Sequence, residues 1–277
     1  MSEKISSYGK INLGLWVTGK RPDGYHNIYT VMHTISLKDE ITIKPSNFLK
    51  VKTSSPIIPE DEANIVFKAV KLFEEYTGIP QNFEIFILKN IPVGAGLGGG
   101  SSNAATVLKE INKLAGNILS EEELLNIAEK IGADVPFFIK GGMAIAQGKG
   151  EKLKHFEKKL EKDIFIIYPN IQVSTERIYN LINEKLLTTE DKLNIIDSLL
   201  AEYDIEKYLE NLENTLGEVS MELYPEIREV VNTLSYLGYK GYITGSGSSV
   251  YSFGSPSEEV KKACKLRGWK IFEAKLI

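Results

Sequence analysis

A single cysteine, Cys264, stands among the 277 residues, so an internal disulfide is excluded. It falls in the helix-like run EEVKKACKLRG, where a small, semi-buried thiol is expected, and a reducing, cytoplasmic setting fits. No uninterrupted apolar run approaches the ~18 residues that cross a bilayer. The first residues, MSEKISSYGKI, lack a basic flank followed by an apolar core, so export is not expected. Excess positive charge is missing as well. Lys and Arg number 33 against 37 Asp and Glu, a formal charge of −4, which leaves no electrostatic footprint for a phosphate backbone or an anionic lipid surface. Neither nucleic acid nor membrane is an expected partner, and the chain shows no internal repeat or low-complexity tract.

What is present is a globular composition. At 43% hydrophobic and 25% charged residues, the chain can bury a substantial core in one large or two moderate domains. KINLGLWV (10 to 17) alternates with a two-residue period, which puts Lys10 and Asn12 on one strand face. YTVMHTIS and ITIKP read as strands separated by a polar turn at KDE (38 to 40). EDEANIVFKAVKLFEEYTG reads as a helix that stops at Gly78, FEIFIL (83 to 88) as a strand, and 104 to 114 as a helical stripe. Ser120 with Glu123 forms a capping box for a helix ending at Gly132. FFIK and MAIA read as paired strands joined by Gly141 and Gly142. The charged stretch 149 to 163 marks a soft boundary, giving domains 1–157 and 158–277. The second half, with strands IFIIYP, YITG, SVYSF and KIFEAKLI among helices, suggests a smaller α+β domain with an antiparallel sheet.

IPVGAGLGGGSSNA (91 to 104) carries five glycines within seven positions, between a strand and a helix. Backbone amides there converge on the positive end of a helix dipole, where an anion is best held; a purely structural turn is the alternative. GAGLGG (94 to 99) matches G-x-G-x-x-G by letter, but roughly 80 residues of strands and turns precede it, whereas a dinucleotide fold usually opens with its βαβ unit. No Lys-Ser or Lys-Thr pair follows, so it is not a Walker loop. Ser101, Ser102 and Asn103 follow instead, a donor set suited to triphosphate and Mg²⁺.

Four blocks carry a resemblance that spans nearly the whole chain: KINLGLWVTGKRPDGYH (10 to 26), IPVGAGLGGGSSNAATVL (91 to 108), GADVPFFIKGG (132 to 142) and ITGSGSSVY (243 to 251). Together they resemble the GHMP-superfamily small-molecule kinases, and the first block narrows the likeness to the member acting on a cytidine nucleotide. The resemblance implies a two-domain α+β GHMP kinase fold, with an N-terminal domain of a kind also found in ribosomal and translational proteins and a C-terminal ferredoxin-like α/β sandwich. It implies transfer of the ATP γ-phosphoryl group to the 2-hydroxyl of the cytidine diphosphate derivative of methylerythritol, on the non-mevalonate route to isoprenoids. Other members, acting on mevalonate, homoserine or a sugar, share the glycine block.

The resemblance also implies the site residues. Lys10 and Asp134 are the catalytic pair; Asp134 lies just past a helix end in the apolar run GADVPFF. ATP is expected along Pro92, Val93, Gly94, Ala95, Gly96, Leu97, Gly98, Gly99, Gly100, Ser101, Ser102 and Asn103, with Asn64 and Lys89 near the adenosine and Ser102 as a possible Mg²⁺ contact. Asn64 and Lys89 read equally as a helix residue and a strand-end lysine. The substrate is expected against Asn12, Tyr25, His26, Thr175, Tyr179, Gly245 and Gly247. Tyr25 and Tyr179 would stack on the pyrimidine, although an aromatic in a helical run is more often core. His26 follows a turn, which argues against a buried core histidine. Met32 stands where relatives can carry an aromatic. A monomer or weak homodimer is expected.

Overall fold

The sequence period at 10 to 17 is realised in the computed structural model as β1 (Ile5–Lys20), and β2 (His26–Pro45) returns antiparallel in sense to later partners. The structure describes residues 4–158 and 160–277. The chain divides into two compact units: Met1–Gly9, Ser36–Val93 and Gly98–Gly141 form the first, and Lys10–Ile35, Gly94–Leu97 and Gly142–Ile277 the second. Both β1 and β2 therefore contribute to each unit.

In the first unit, the later half of β2 pairs antiparallel with β4 (Phe83–Leu88), which pairs parallel with β3 (Lys50–Thr53). The parallel pair requires a crossover, supplied by α1 (Ile65–Thr77). Asn64 starts α1 by accepting from the Val66 amide, and Gly78 ends it in a left-handed conformation at φ 70°. Residues 60–64 of the expected helix thus lie ahead of it. α2 (Gly99–Leu114) and α3 (Glu121–Ile131) follow, the latter opened by the expected Ser120–Glu123 capping box. Val135–Lys140 forms helix α4, which corrects the strand expected at FFIK. Its residues Val135 to Ile139 are all buried, so no helical period was visible, and Pro136 in the first turn favours a helix start. The expected turn at 38 to 40 is also corrected: β2 runs through it unbroken, because Asp39 is buried and bonded rather than solvated.

In the second unit, MAIA forms the expected strand, β5 (Met143–Gly148), but it pairs antiparallel with the earlier half of β2 and with β6 (Lys152–His155) rather than with FFIK, whose backbone is helical. β7 (Asp163–Tyr168) leads to α5 (Thr175–Tyr179), a short 3₁₀ turn, α6 (Glu190–Ala201), α7 (Ile205–Glu210), α8 (Thr215–Leu223) and α9 (Pro225–Tyr236). β8 (Tyr242–Ile243), β9 (Val250–Phe253), α10 (Glu258–Arg267) and β10 (Lys270–Lys275) complete it. Strands β10-β7-β9-β8 form the expected antiparallel sheet. Phe165, Ile167 and Val250 from this sheet pack on Ile227, Val230 and Leu234 of α9 and on Val260 and Cys264 of α10. A second cluster joins Leu15 and Val17 of β1 to Ile178 and to Leu216 and Val219 of α8. The segment 9–17 is buried on both faces, and Gly14 is needed there because the Trp16 ring crosses it; a Cβ would lie 2.3 Å from that ring.

Candidate active site

Lys10 and Asn12 point the same way, as the strand period requires, and both are 4% exposed. Lys10 Nζ donates to Asn12 Oδ1 at 2.6 Å. Asn12 Nδ2 in turn donates to Thr30 Oγ1 at 2.8 Å, and Thr30 donates to the Gly14 carbonyl at 2.6 Å. A buried ammonium is costly unless it is bonded, so this chain fixes where the charge sits. Gly245 stands directly over the pair: a Cβ there would lie 3.3 Å from Asn12 Oδ1 and 3.7 Å from Lys10 Nζ.

Residues Gly94–Leu97 and the TGSGSS turn (244 to 249) meet within the second unit. The Lys10 amide donates to Leu97 O at 2.9 Å, the Asn12 amide to Thr244 Oγ1 at 3.0 Å, and Thr244 Oγ1 to Gly96 O at 3.1 Å. The Ser249 amide reaches Ala95 O at 3.2 Å. Gly96, at φ 77°, would put a Cβ 2.4 Å from Thr244 O, so its bare backbone is demanded by the neighbouring turn itself. Asn214 holds the turn from below, donating to the carbonyls of Ile243 and Gly245 at 2.7 Å each while its Oδ1 caps α8. Thr175 at the start of α5 shares a 2.8 Å hydroxyl contact with Ser246, next to Gly247.

Of the expected pyrimidine residues, the second unit brings His26 and Tyr179 together, in an arrangement the sequence did not anticipate. His26 and Tyr179 stack directly on each other, with centroids 5.3 Å apart and planes 19° from parallel. Tyr179 is half-buried against the cluster of α8 and β1, combining core and surface roles. His26 is buried despite its place after a turn, and burial, followed by the charge of Lys20, lowers its pKa from the usual histidine value. Tyr25 is 60% exposed, its ring under the Lys149 ammonium at 4.9 Å. Met32 lies fully in the core of β2.

The first unit carries the helix that follows the glycines. Gly98 caps α2 at φ 66°, and among the described residues no side-chain cap bonds its first turn, which holds no acidic residue. Those amides and the dipole behind them suit a phosphate, so the donors present fit the triphosphate of ATP. Ser102 is 2% exposed with its hydroxyl 2.7 Å from Ser7 Oγ, which leaves Ser101 the more accessible hydroxyl. Among the described residues, no group of three or more His, Cys, Asp or Glu is arranged to hold a metal. Asn64 uses both polar atoms of its side chain locally, on Val66 N and Pro59 O. Lys89 is ion-paired with Asp39, both side chains nearly inaccessible. Asp134 is half-buried, immediately before α4.

Sequence reasoning missed Ser7, Thr30, Asp39, Asn214 and Thr244 in these roles. Only Asn214, a cap-type residue ahead of an apolar helical run, and Thr244, within the TGSGSS block, left a local signal.

The GHMP kinases N terminal domain matches residues 64–142, and the GHMP kinases C terminal matches residues 198–267. A 4-diphosphocytidyl-2-C-methyl-D-erythritol kinase of Persephonella marina is 59% identical over 272 residues, covering 98% of each chain. One from Sulfurihydrogenibium is 54% identical over 99% of each. A crystal structure of 4-(cytidine 5'-diphospho)-2C-methyl-D-erythritol kinase superposes with a TM-score of 0.80 at 30% identity, over 99% of both chains. Mevalonate kinase of Methanococcus jannaschii shares the fold, with a TM-score of 0.71 at 16% identity. No helix among the described residues is long and apolar enough to cross a membrane. With matches of this extent along its whole length, the chain belongs to the GHMP kinases, and within them to the 4-diphosphocytidyl-2-C-methyl-D-erythritol kinases.

Proposed function

We propose that the protein transfers the γ-phosphoryl group of ATP to the 2-hydroxyl of 4-diphosphocytidyl-2-C-methyl-D-erythritol, a step of non-mevalonate isoprenoid precursor synthesis. The observation that carries this reading is the 59% identity to an enzyme of that name over 98% of both chains. The buried Lys10–Asn12 pair beneath Gly245 supports it chemically, since it presents a fixed cation where an acceptor oxygen can be oriented.

In the proposed reaction the acceptor hydroxyl loses its proton to the Asp134 carboxylate as its oxygen attacks phosphorus. The bond from phosphorus to the β–γ bridging oxygen breaks and ADP leaves with that electron pair. Lys10 holds and polarises the acceptor oxygen. The first-turn amides of α2 and the glycine backbone offset charge on the phosphates, with Mg²⁺ supplying further neutralisation when bound. Tyr25, His26 and Tyr179 recognise the pyrimidine, which spends binding energy remote from the reacting hydroxyl on positioning it. Since His26 and Tyr179 stack on each other, a base enters this group beside the stack or by parting it. The reading includes a cytoplasmic monomer or weak homodimer that engages neither nucleic acid nor membrane, in keeping with a net charge of −4.

The test is an acceptor panel with γ-labelled ATP: the cytidylyl polyol, bare methylerythritol, mevalonate, homoserine and a hexose. Label is expected on the cytidylyl polyol, with bare methylerythritol a very poor acceptor. Preference for mevalonate or homoserine, or equal use of the bare polyol, would overturn the assignment.

A further inference from the structure

One carboxylate in the first unit does more than the reaction scheme assigns. Asp39 lies in the later half of β2, is 0% exposed, and accepts from four donors: Lys89 Nζ, the Asn90 amide at 2.7 Å, the Ile91 amide at 2.8 Å and Asn103 Nδ2 at 2.9 Å. Lys89 Nζ also donates to Asn103 Oδ1 at 3.1 Å, closing a ring of three side chains. Asn103 Nδ2 continues to Ser7 Oγ at 2.9 Å, and Ser7 to Ser102 Oγ at 2.7 Å. Residues 90 and 91 stand ahead of the glycine stretch, separated from Gly94 only by Pro92 and Val93, and Ser102 and Asn103 are in the opening of α2 that follows it. Asp39 therefore grips the chain both before and after the segment richest in glycine, where nothing intrinsic to the backbone would hold one conformation.

We infer that Asp39 is the positioning residue of the phosphate-binding segment: it fixes the two ends of the glycine stretch and the α2 opening, and sets the location of the Lys89 charge. Charge-assisted bonds inside a desolvated network are strong and directional, so a single carboxylate can hold four donors in register. Gly99 shows how tightly the arrangement is drawn: a Cβ there would lie 2.9 Å from the Ile91 side chain and 3.2 Å from Lys89 Nζ. Asp39 touches no substrate in this scheme; it acts through Asn90, Ile91, Lys89 and Asn103. The inference rests on the proposed use of ATP at the glycine segment.

The experiment is Asp39→Asn, with ATP affinity and cytidine diphosphate affinity each measured by calorimetry alongside the circular dichroism spectrum. An amide cannot accept from all four donors, and its own NH₂ would face Lys89 or Asn103. ATP affinity is expected to fall about tenfold or more, with cytidine diphosphate affinity within about twofold and KM for ATP rising more than kcat falls. A folded variant that binds ATP within about twofold of wild type, or loses both ligands equally, overturns the inference. Should Asp39→Asn fail to fold, Ser7→Ala loosens the outer link alone and is expected to weaken ATP about two- to tenfold, with cytidine diphosphate unaffected; unchanged ATP affinity there overturns it equally. If wild-type protein neither binds ATP nor labels the cytidylyl polyol, the functional reading fails instead, which separates the two outcomes.

Discussion

Gly100→Ala separates a ligand's demand for bare backbone from the fold's demand for it. Several glycines of the stretch cannot answer that question, because Gly94, Gly96 and Gly98 have φ of 68°, 77° and 66°, where any side chain is strained. Gly100 is different. It lies inside α2, and an added Cβ would meet only Ile65 Cγ2, at an ordinary 3.7 Å. Replacing glycine by alanine in a helix interior stabilises by about 0.5–1 kcal/mol, an upper bound for Gly100 in the first turn, so the melting temperature should rise by up to about 4 °C. If phosphate oxygens approach the uncapped first-turn amides, the same methyl obstructs them. Loss of one charge-assisted hydrogen bond costs about 1.5–3 kcal/mol, or about 10- to 150-fold in ATP affinity. Stability and affinity should thus move in opposite directions, which a general loss of structure cannot produce. Calorimetric titration with ATP and a melt of the same preparation read both. An ATP affinity within about twofold of wild type in a protein that melts higher would refute phosphate binding at this turn.

Other consequences can be checked independently. Asp134→Asn preserves shape while abolishing proton acceptance, so kcat should fall ~10² or more with ATP affinity little changed; more than about a third of wild-type kcat would remove Asp134 from the role of base. Tyr179→Ala removes a ring that both stacks on His26 and covers the α8 cluster, so kcat/KM for the cytidylyl substrate should drop about five- to 150-fold, while slow ATP hydrolysis barely changes. His26 should titrate below the ordinary value of about 6.5 in a nuclear magnetic resonance titration, and Lys20→Met should move it back upward. Because the unfolded chain takes up that proton first, stability is complete above about pH 6.5 and declines as pH falls from there toward the native pKa; a His26 signal titrating at or above 6.5 contradicts this. Ser249 Oγ is buried without a hydrogen-bond partner among the described residues, so Ser249→Ala should leave the melting temperature equal or raise it by a few degrees, and a clear drop would mean the hydroxyl is bonded in solution.

Local regularities alone determined a good part of this protein. The two-residue period put Lys10 and Asn12 on one face, the Ser120–Glu123 spacing opened α3, Gly78 ended α1, and the glycines before α2 marked a helix N-terminus free of side-chain caps. Each depends on neighbours within a few residues, so each is written where it acts. Matching blocks along the chain likewise made the family legible. Tertiary structure decided the rest. α4 shows no helical period because it is buried all round, and KDE looks like a turn because its charges are read without the donors that neutralise one of them. Asp39 finds Lys89, Asn90, Ile91 and Asn103 some 50 to 64 residues away, Thr30 finds Asn12 across a strand pair, and Thr244 finds Asn12 and Gly96 from the far end of the chain. A buried polar group must be bonded, but which partner bonds it is settled only when the fold brings distant donors and acceptors together.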